Sequence, residues 1–283
     1  MTLGPTMDGP VSRTHRTRAC DGGPTVKLRV VGAHNFASST TRLGCLLVDD
    51  HIALDAGSLA VGLSFEEQRL VRHVFISHRH YDHVRDLLVL GLSCTYMNTS
   101  IDVYATEATL KAVGDGLFGS GLYPDARSRP SQDKPAVRFH TVSPYEPVSL
   151  PGGYTVVATP VVHSVEATGY EVTGPDGRRL FYSGDTGPGV AQAWPHIKPH
   201  LIALECTLDN SEAKKDQWGA HLRPDSFGEA LVKFNEIHGY MPKSLAVHLA
   251  PWFEEGIRRD LPAVARQIGA DIQVATEDDV LEV

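Results

Sequence analysis

The segment Val74-Phe75-Ile76-Ser77-His78-Arg79-His80-Tyr81-Asp82-His83 decides how this chain is read. Its first residues are apolar and read as a short strand, which delivers three imidazoles and a carboxylate, within the six residues from His78 to His83, into the following turn. Side chains at the end of a strand can converge on one point. Imidazole and carboxylate are the ligands that borderline divalent ions such as zinc prefer, and open hydrolytic sites use them rather than four thiolates. A solvated polar turn would account for one such histidine, but it accounts poorly for His-x-His-x-Asp-His.

Four residues do not complete two coordination shells, so the pattern predicts more histidine and aspartate at later strand ends. They are present. His163 follows the apolar run 154–162, Asp185 lies in Ser183-Gly184-Asp185-Thr186-Gly187 after the run 180–182, and His248 follows 244–247. In each case a strand feeds one ligand into a turn, where a rigid scaffold places functional groups.

Further strands are expected over 26–31, 46–48, 51–54, 101–104, 201–204 and 272–275. Helical spacing recurs at Val84, Leu87, Leu88, Gly91 and Leu92, and again at Phe227, Ala230, Leu231, Phe234 and Ile237. Ser226 with Glu229 reads as a capping box for the second helix, and Gly239 as its stop. Helices interspersed among strands give an α/β chain of mixed sheets covered by helices. Residues 1–25 read as a disordered tail and 26–283 as one domain, without an internal repeat or linker. Residues 114–135, rich in Gly, Pro and Ser, read as a long surface loop, either a tolerated excursion or a cover for the site.

Composition narrows the function. The 283 residues include 26 basic and 34 acidic side chains, a formal charge of −8, so the basic surplus used for generic phosphate-backbone binding is missing. Nucleic acid is therefore not the expected partner. Cys20, Cys45, Cys94 and Cys206 are far apart with no Cys-x-x-Cys pair, and read as reduced, mostly buried residues. No apolar run approaches the roughly twenty residues of a membrane span, and residues 1–25 lack the apolar centre of a secretory signal. A cytoplasmic location is the default expectation. The apolar helix faces would serve a core or a homodimer interface equally well.

The ordered series Leu54-Asp55-Ala56-Gly57, His78 to His83, His163, Ser183-Gly184-Asp185-Thr186 and His248 resembles the five motifs of the metallo-β-lactamase superfamily, and the resemblance runs from about Val26 to the C-terminus. It implies a four-layer αββα sandwich with two zinc ions, one of them replaceable by manganese or iron. His78, His80 and His163 would hold the first ion; Asp82, His83 and His248 the second; Asp185 and a hydroxide would bridge them. Asp55 would support the ligands from behind. Flavodiiron relatives typically carry glutamate at the position of His80, so hydrolysis is expected rather than oxygen reduction.

Glu205, then Gly219-Ala220-His221-Leu222-Arg223-Pro224, then His248-Leu249-Ala250-Pro251-Trp252 resemble the phosphodiesterase branch, which includes class II cyclic-nucleotide phosphodiesterases and tRNase Z. There a glutamate pairs with a histidine that protonates or orients the leaving oxygen, which makes Glu205 and His221 candidate catalytic residues beside Asp82. Two divalent ions less the charges of Asp82, Asp185 and hydroxide leave about +1, which complements a monoanionic phosphodiester. Bound water with its pKa brought from about 15.7 toward 7 supplies hydroxide at neutral pH. The acidic charge and absence of a lysine-rich run favour a small (cyclic) nucleotide or other small phosphodiester over tRNA. Asp86 and Tyr81 depart from the class II pattern, so the chain resembles a relative of that subgroup. The alternatives are a dizinc hydrolase of carboxylic esters, lactones or thioesters, a tRNase Z-like nuclease and a non-catalytic metal-binding scaffold.

Trp252 and Phe253 would stack on a base or pack against a following helix equally well. His34 reads as a turn residue, with pocket lining as its alternative. His15, His51, His73, His140, His196, His200 and His238 have no ligand-like company.

Overall fold

The computed structural model describes residues 25–211 and 221–283. Most of the tail expected over 1–25, together with Cys20, and Gly219 and Ala220 of the motif before His221, lies outside the described residues.

The first part of the chain runs β1 (Lys27–Gly32), β2 (Cys45–Val48), β3 (Ile52–Leu54), α1 (Phe65–Gln68), β4 (His73–Phe75), α2 (Tyr81–Val84), α3 (Leu87–Met97), β5 (Ile101–Ala105), α4 (Glu107–Gly116), β6 (Pro130–Ser131), β7 (Lys134–Pro135) and β8 (Val137–Thr141). The second part runs β9 (Pro147–Leu150), β10 (Tyr154–Val161), β11 (Ala167–Thr173), β12 (Arg179–Tyr182), β13 (Leu201–Glu205), α5 (Pro224–His238), β14 (Lys243–Val247), α6 (Glu254–Ile268), β15 (Ile272–Val274) and β16 (Val280–Glu282). One seven-stranded sheet has the order β16-β1-β2-β3-β4-β5-β8, and a second has the order β15-β14-β13-β12-β11-β10-β9. The last strand returns across the molecule to pair antiparallel with β1.

The alternation of side chains along each strand sorts the apolar residues into layers. Leu46 and Val48 of β2 join Phe75, Val156, Tyr170, Leu180 and Leu245 between the two sheets. Their neighbours Cys45 and Leu47 face the other way, against Leu87 and Leu90 of α3 and Leu110 of α4. On the far side, Phe181, Ile202 and Ala246 meet Phe227, Leu231, Ile257 and Leu261 of α5 and α6. The result is the expected four-layer αββα sandwich. Strands covered on both faces must be apolar throughout, which is why they were legible as continuous runs. Each buried Leu or Phe stabilises this arrangement by roughly 1.5–3 kcal/mol.

Several sequence expectations need correction. The helix expected from Ser226 starts earlier, with Arg223 as cap and Pro224 in its first turn; the Ser226 hydroxyl accepts from the Arg223 amide at 3.0 Å, and Glu229 has no part in the cap. Residues 114–135 are not one loop, because they include the end of α4, a 3-10 turn at Phe118–Ser120 and the β6–β7 hairpin. The strands β8, β9, β11 and β16 carry too many polar residues to read from pattern alone. β11 is an example: Glu171 is buried within it, its carboxylate accepting from the Lys198 amide at 2.7 Å. The cysteines behave as expected, since Cys45, Cys94 and Cys206 are buried and unbridged.

The strands β3 and β4 are parallel neighbours, as are β12, β13 and β14. Their C-terminal ends carry Asp55, His78, Asp185, Glu205 and His248, so topology gathers the polar residues at one edge of the sandwich.

Candidate metal centre

The chain leaves β4 extended through Ser77 and His78. His80, with φ −64° and ψ 147°, then starts the single turn α2, which folds Asp82 and His83 back toward His78. This turn is separate from α3, so the helix expected near Val84 is two elements.

Two groups of side chains form. In one, His78, His80, His163 and Asp185 place their ligand atoms within 4.8 Å of one another; in the other, Asp82, His83, Asp185 and His248 do the same. Asp185 belongs to both and turns one oxygen to each. Its Oδ2 lies 3.7 Å from Nε2 of His78 and of His163, and its Oδ1 lies 3.2 Å from His83 Nε2 and 3.1 Å from His248 Nε2. His80 Nδ1 is 2.9 Å from His78 Nε2 and 3.3 Å from His163 Nε2. Asp82 Oδ2 completes the second group at 3.2 Å from His248 Nε2.

Two buried carboxylates fix which nitrogen of each ring carries the proton. A carboxylate only accepts, so its partners must donate. Asp55 takes the Ser77 amide (2.7 Å) on Oδ1 and the Ser77 hydroxyl (2.7 Å), the Tyr182 phenol (2.7 Å) and His83 Nδ1–H (2.6 Å) on Oδ2. With its proton given to Asp55, the Ser77 oxygen accepts from His78 Nδ1–H at 3.0 Å. Glu205 takes the Thr186 amide (3.0 Å), the Thr207 hydroxyl (2.8 Å), the Leu222 amide (3.2 Å) and His221 Nδ1–H (2.8 Å). Thr207 in turn accepts from His248 Nδ1–H at 2.9 Å. The Nε2 atoms of His78, His83 and His248 therefore present lone pairs to the two groups.

These residues fit divalent cations. His83 Nε2 and Asp185 Oδ1 are buried and make no hydrogen bond although they face each other, an arrangement that a shared cation between them would resolve. Burial, reinforced by the neighbouring imidazole of His83, holds His78 well below the usual histidine range, so it is neutral and able to ligate. Burial and the Asp55 charge push the Tyr182 phenol up, which keeps it a donor. Asp55 and His248 sit at φ 62° and 60°, a left-handed conformation uncommon for such residues and frequent at functional sites.

The expected residues Asp55, His78, His80, Asp82, His83, His163, Asp185, Glu205, His221 and His248 all come together. The His221 ring lies 5.3 Å from that of His163 and stacks at 5.6 Å on that of His248, with its side chain 26% exposed at the opening. Three contributors were not foreseen: Thr207, Tyr182 and the side chain of Ser77. For Thr207 a signal existed, because it lies two positions after Glu205, which was already singled out. Asp86, where the class II pattern differs, is buried and accepts from the amides of Ala60 (2.8 Å) and Val61 (3.0 Å), a loop-holding task away from the ligands. His34 is a correction to the turn reading: it is buried, between Glu277 (2.6 Å) and Glu254 (3.1 Å).

Comparison with known proteins agrees with this geometry. A family model described as a beta-lactamase superfamily domain matches residues 58–255. An uncharacterized protein of Mycobacterium tuberculosis is 32% identical over 216 residues, 75% of this chain and 73% of its own. A 3',5'-cyclic-nucleotide phosphodiesterase of Aliivibrio fischeri is 24% identical over 229 residues, 66% of this chain and 68% of its own. Among solved structures, unliganded yeast PDE1 superposes with a TM-score of 0.75 at 15% identity, over 92% of this chain and 99% of that one. The metallo-beta-lactamase fold protein YhfI from Bacillus subtilis gives 0.72 at 17% identity, over 92% and 100%. Among the described residues no helix is long and apolar enough to cross a membrane. By sequence match, sheet order and the residues gathered at the sheet edge, this chain belongs to the beta-lactamase superfamily of metal-dependent hydrolases.

Proposed function

We propose that the protein is a dinuclear metal phosphodiesterase acting on a small phosphodiester, with a cyclic nucleotide as the leading substrate and zinc as the leading metal. The observation that carries the reading is the pair Glu205–His221. A histidine hydrogen-bonded at 2.8 Å to a fully buried carboxylate lies at the opening, beside both ligand groups.

His78, His80 and His163 would hold one ion and Asp82, His83 and His248 the other, with Asp185 shared. When bound, two divalent ions supply Lewis acidity and a water acidic enough to attack near neutral pH. The chain's own residues do the rest. Glu205 holds His221 in one tautomer and one orientation, and stabilises its charged form when it carries a second proton. An alkoxide is a poor leaving group, so a proton delivered from His221 to the departing oxygen lowers the barrier that an ester of a more acidic alcohol would not face. The net charge of −8 supports a small substrate rather than a large polyanion.

The test is metal analysis of the purified protein combined, on the same sample, with hydrolysis of bis(p-nitrophenyl) phosphate, a nitrophenyl carboxylic ester and cyclic AMP. Metal bound at about two ions per chain with chelator-sensitive phosphodiester cleavage is expected. Ester cleavage alone would replace the proposal with the ester hydrolase, and metal without turnover of any of the three would favour a scaffold.

A further inference from the structure

Two large aromatic side chains stand open to solvent, one on the loop after β1 and the other on the loop that follows His248. Trp252 is 72% exposed and Phe36 is 49% exposed, yet they touch each other edge to face with ring centroids 4.6 Å apart. Trp252 does not pack against α6; its neighbour Phe253 takes that place, partly buried against the core beneath the helix. Trp252 is four positions after His248, a reach of at most about 14 Å.

The two loops that carry the pair are locked together. The Asn35 amide donates to the Leu249 carbonyl at 3.2 Å, and the Leu249 amide to the Ala33 carbonyl at 2.8 Å. The Ala250 amide is tied to the Thr207 carbonyl at 3.2 Å, which joins this rim to the residue holding His248. Beneath the rim, buried His34 is held by Glu277 and by Glu254 of α6, so the loops before and after the pair share one polar anchor. Thr41 closes the Phe36 loop by donating its hydroxyl to the Phe36 carbonyl at 2.9 Å. This is an aromatic surface held by backbone hydrogen bonds, prepaid in conformational entropy, on the loop that follows His248.

We propose that Trp252, buttressed edge-on by Phe36, is the subsite that receives the nucleobase of the substrate. The inference rests on the phosphodiesterase reading for its link to turnover, and names the substrate class as nucleotides rather than alkyl or sugar phosphodiesters. A purine or pyrimidine would stack on the exposed indole face while its phosphodiester lies at the ligand groups. Stacking tolerates any base, so the subsite selects for the presence of a base more than for its identity. Phe36 fixes the indole rather than contacting the base face to face.

The test compares metal-loaded wild type with Trp252→Ala, Trp252→Phe and Phe36→Ala, by calorimetric titration with AMP and with ribose 5-phosphate, and by kinetics on cyclic AMP. In Trp252→Ala, AMP should bind roughly tenfold more weakly while ribose 5-phosphate is unchanged; the cyclic AMP effect should fall on KM rather than kcat. Trp252→Phe should retain most of the affinity, and Phe36→Ala should lose less than Trp252→Ala. Unchanged AMP affinity, or equal losses for AMP and ribose 5-phosphate, would overturn the proposal. Trp252-dependent AMP binding without hydrolysis of any phosphodiester would keep the subsite and sink the phosphodiesterase reading. Cyclic AMP turnover indifferent to Trp252 would do the reverse.

Discussion

Two buried carboxylates, one belonging to each sheet, organise the two sides of the centre in different ways. Asp55, at the end of β3, collects four donors, and every one of them is itself buried. Glu205, at the end of β13, also collects four, but one of these is His221, which reaches the opening. On the N-terminal side every partner of Asp55 is enclosed; on the C-terminal side every partner of Glu205 is enclosed except one ring. The same anion with the same number of hydrogen bonds thus meets only buried partners in one half and one exposed partner in the other, the partner to which the proposed function gives the chemistry.

The largest effect should come from the residue the two sides share. Asp185→Ala removes a ligand atom from both groups, so metal content should fall toward zero and hydrolysis to background. Metal analysis after identical loading checks this, and a variant that keeps one full equivalent would show that the two groups are independent. Next comes Asp55→Ala. It leaves the Ser77 amide, the Tyr182 phenol and His83 Nδ1–H buried without an acceptor, at about 1–3 kcal/mol for each unsatisfied group. Urea unfolding should report a loss of about 3 kcal/mol or more, with metal affinity weakened roughly 10–100-fold. If Asp55→Ala unfolded like wild type, the contrast between the two carboxylates would collapse.

His221→Ala sharpens the other half. Cyclic AMP, with its alkoxide leaving group, should be cleaved about 100-fold more slowly, whereas bis(p-nitrophenyl) phosphate, whose leaving group needs no proton, should slow by less than about threefold. Equal losses on both substrates would make His221 a structural partner of Glu205. Metal content should stay near that of wild type.

The smallest effect belongs to the anchor beneath the aromatic rim. Burial favours neutral His34, but the hydrogen bonds its ring donates to Glu277 and Glu254 outweigh it and raise its pKa above 6.5. Against the cost of its burial, His34 and the Arg42 amide bring Glu277 down to about 2. A raised histidine stabilises fully below its unfolded pKa and loses that contribution as pH rises through its folded value. A lowered carboxylate stabilises above about 4.5 and loses its contribution as pH falls toward 2. The difference in unfolding free energy between wild type and His34→Ala should thus be greatest between about pH 4.5 and 6.5 and shrink on either side, by on the order of 1 kcal/mol. A difference that stayed unchanged on going below about pH 4.5 and above about pH 6.5 would mean that His34 packs as an uncharged ring.

How much of this was legible depended on distance along the chain. The ligands could be read because each follows an apolar strand, and such strands are apolar because both their faces are buried. Thr207 lay within reach, two positions after Glu205 and just past the end of β13. His34 did not, since its partners Glu254 and Glu277 are 220 and 243 residues away. Trp252 had two equal readings in sequence, and only the position of the Phe36 loop separated it from Phe253.

The sequence by itself determined mixed sheets covered by helices and which strand ends carry histidine and carboxylate, because periodicity and apolar runs are local properties; the four-layer arrangement was implied by the resemblance its motifs carry. Only the tertiary structure decided that the two oxygens of Asp185 face different groups, that Asp55 and Glu205 fix the ring protons, and that His221 alone among the partners of Glu205 reaches solvent. Those facts depend on how two sheets, built from distant stretches of chain, bring their edges within hydrogen-bond distance of each other, and no local pattern encodes that convergence.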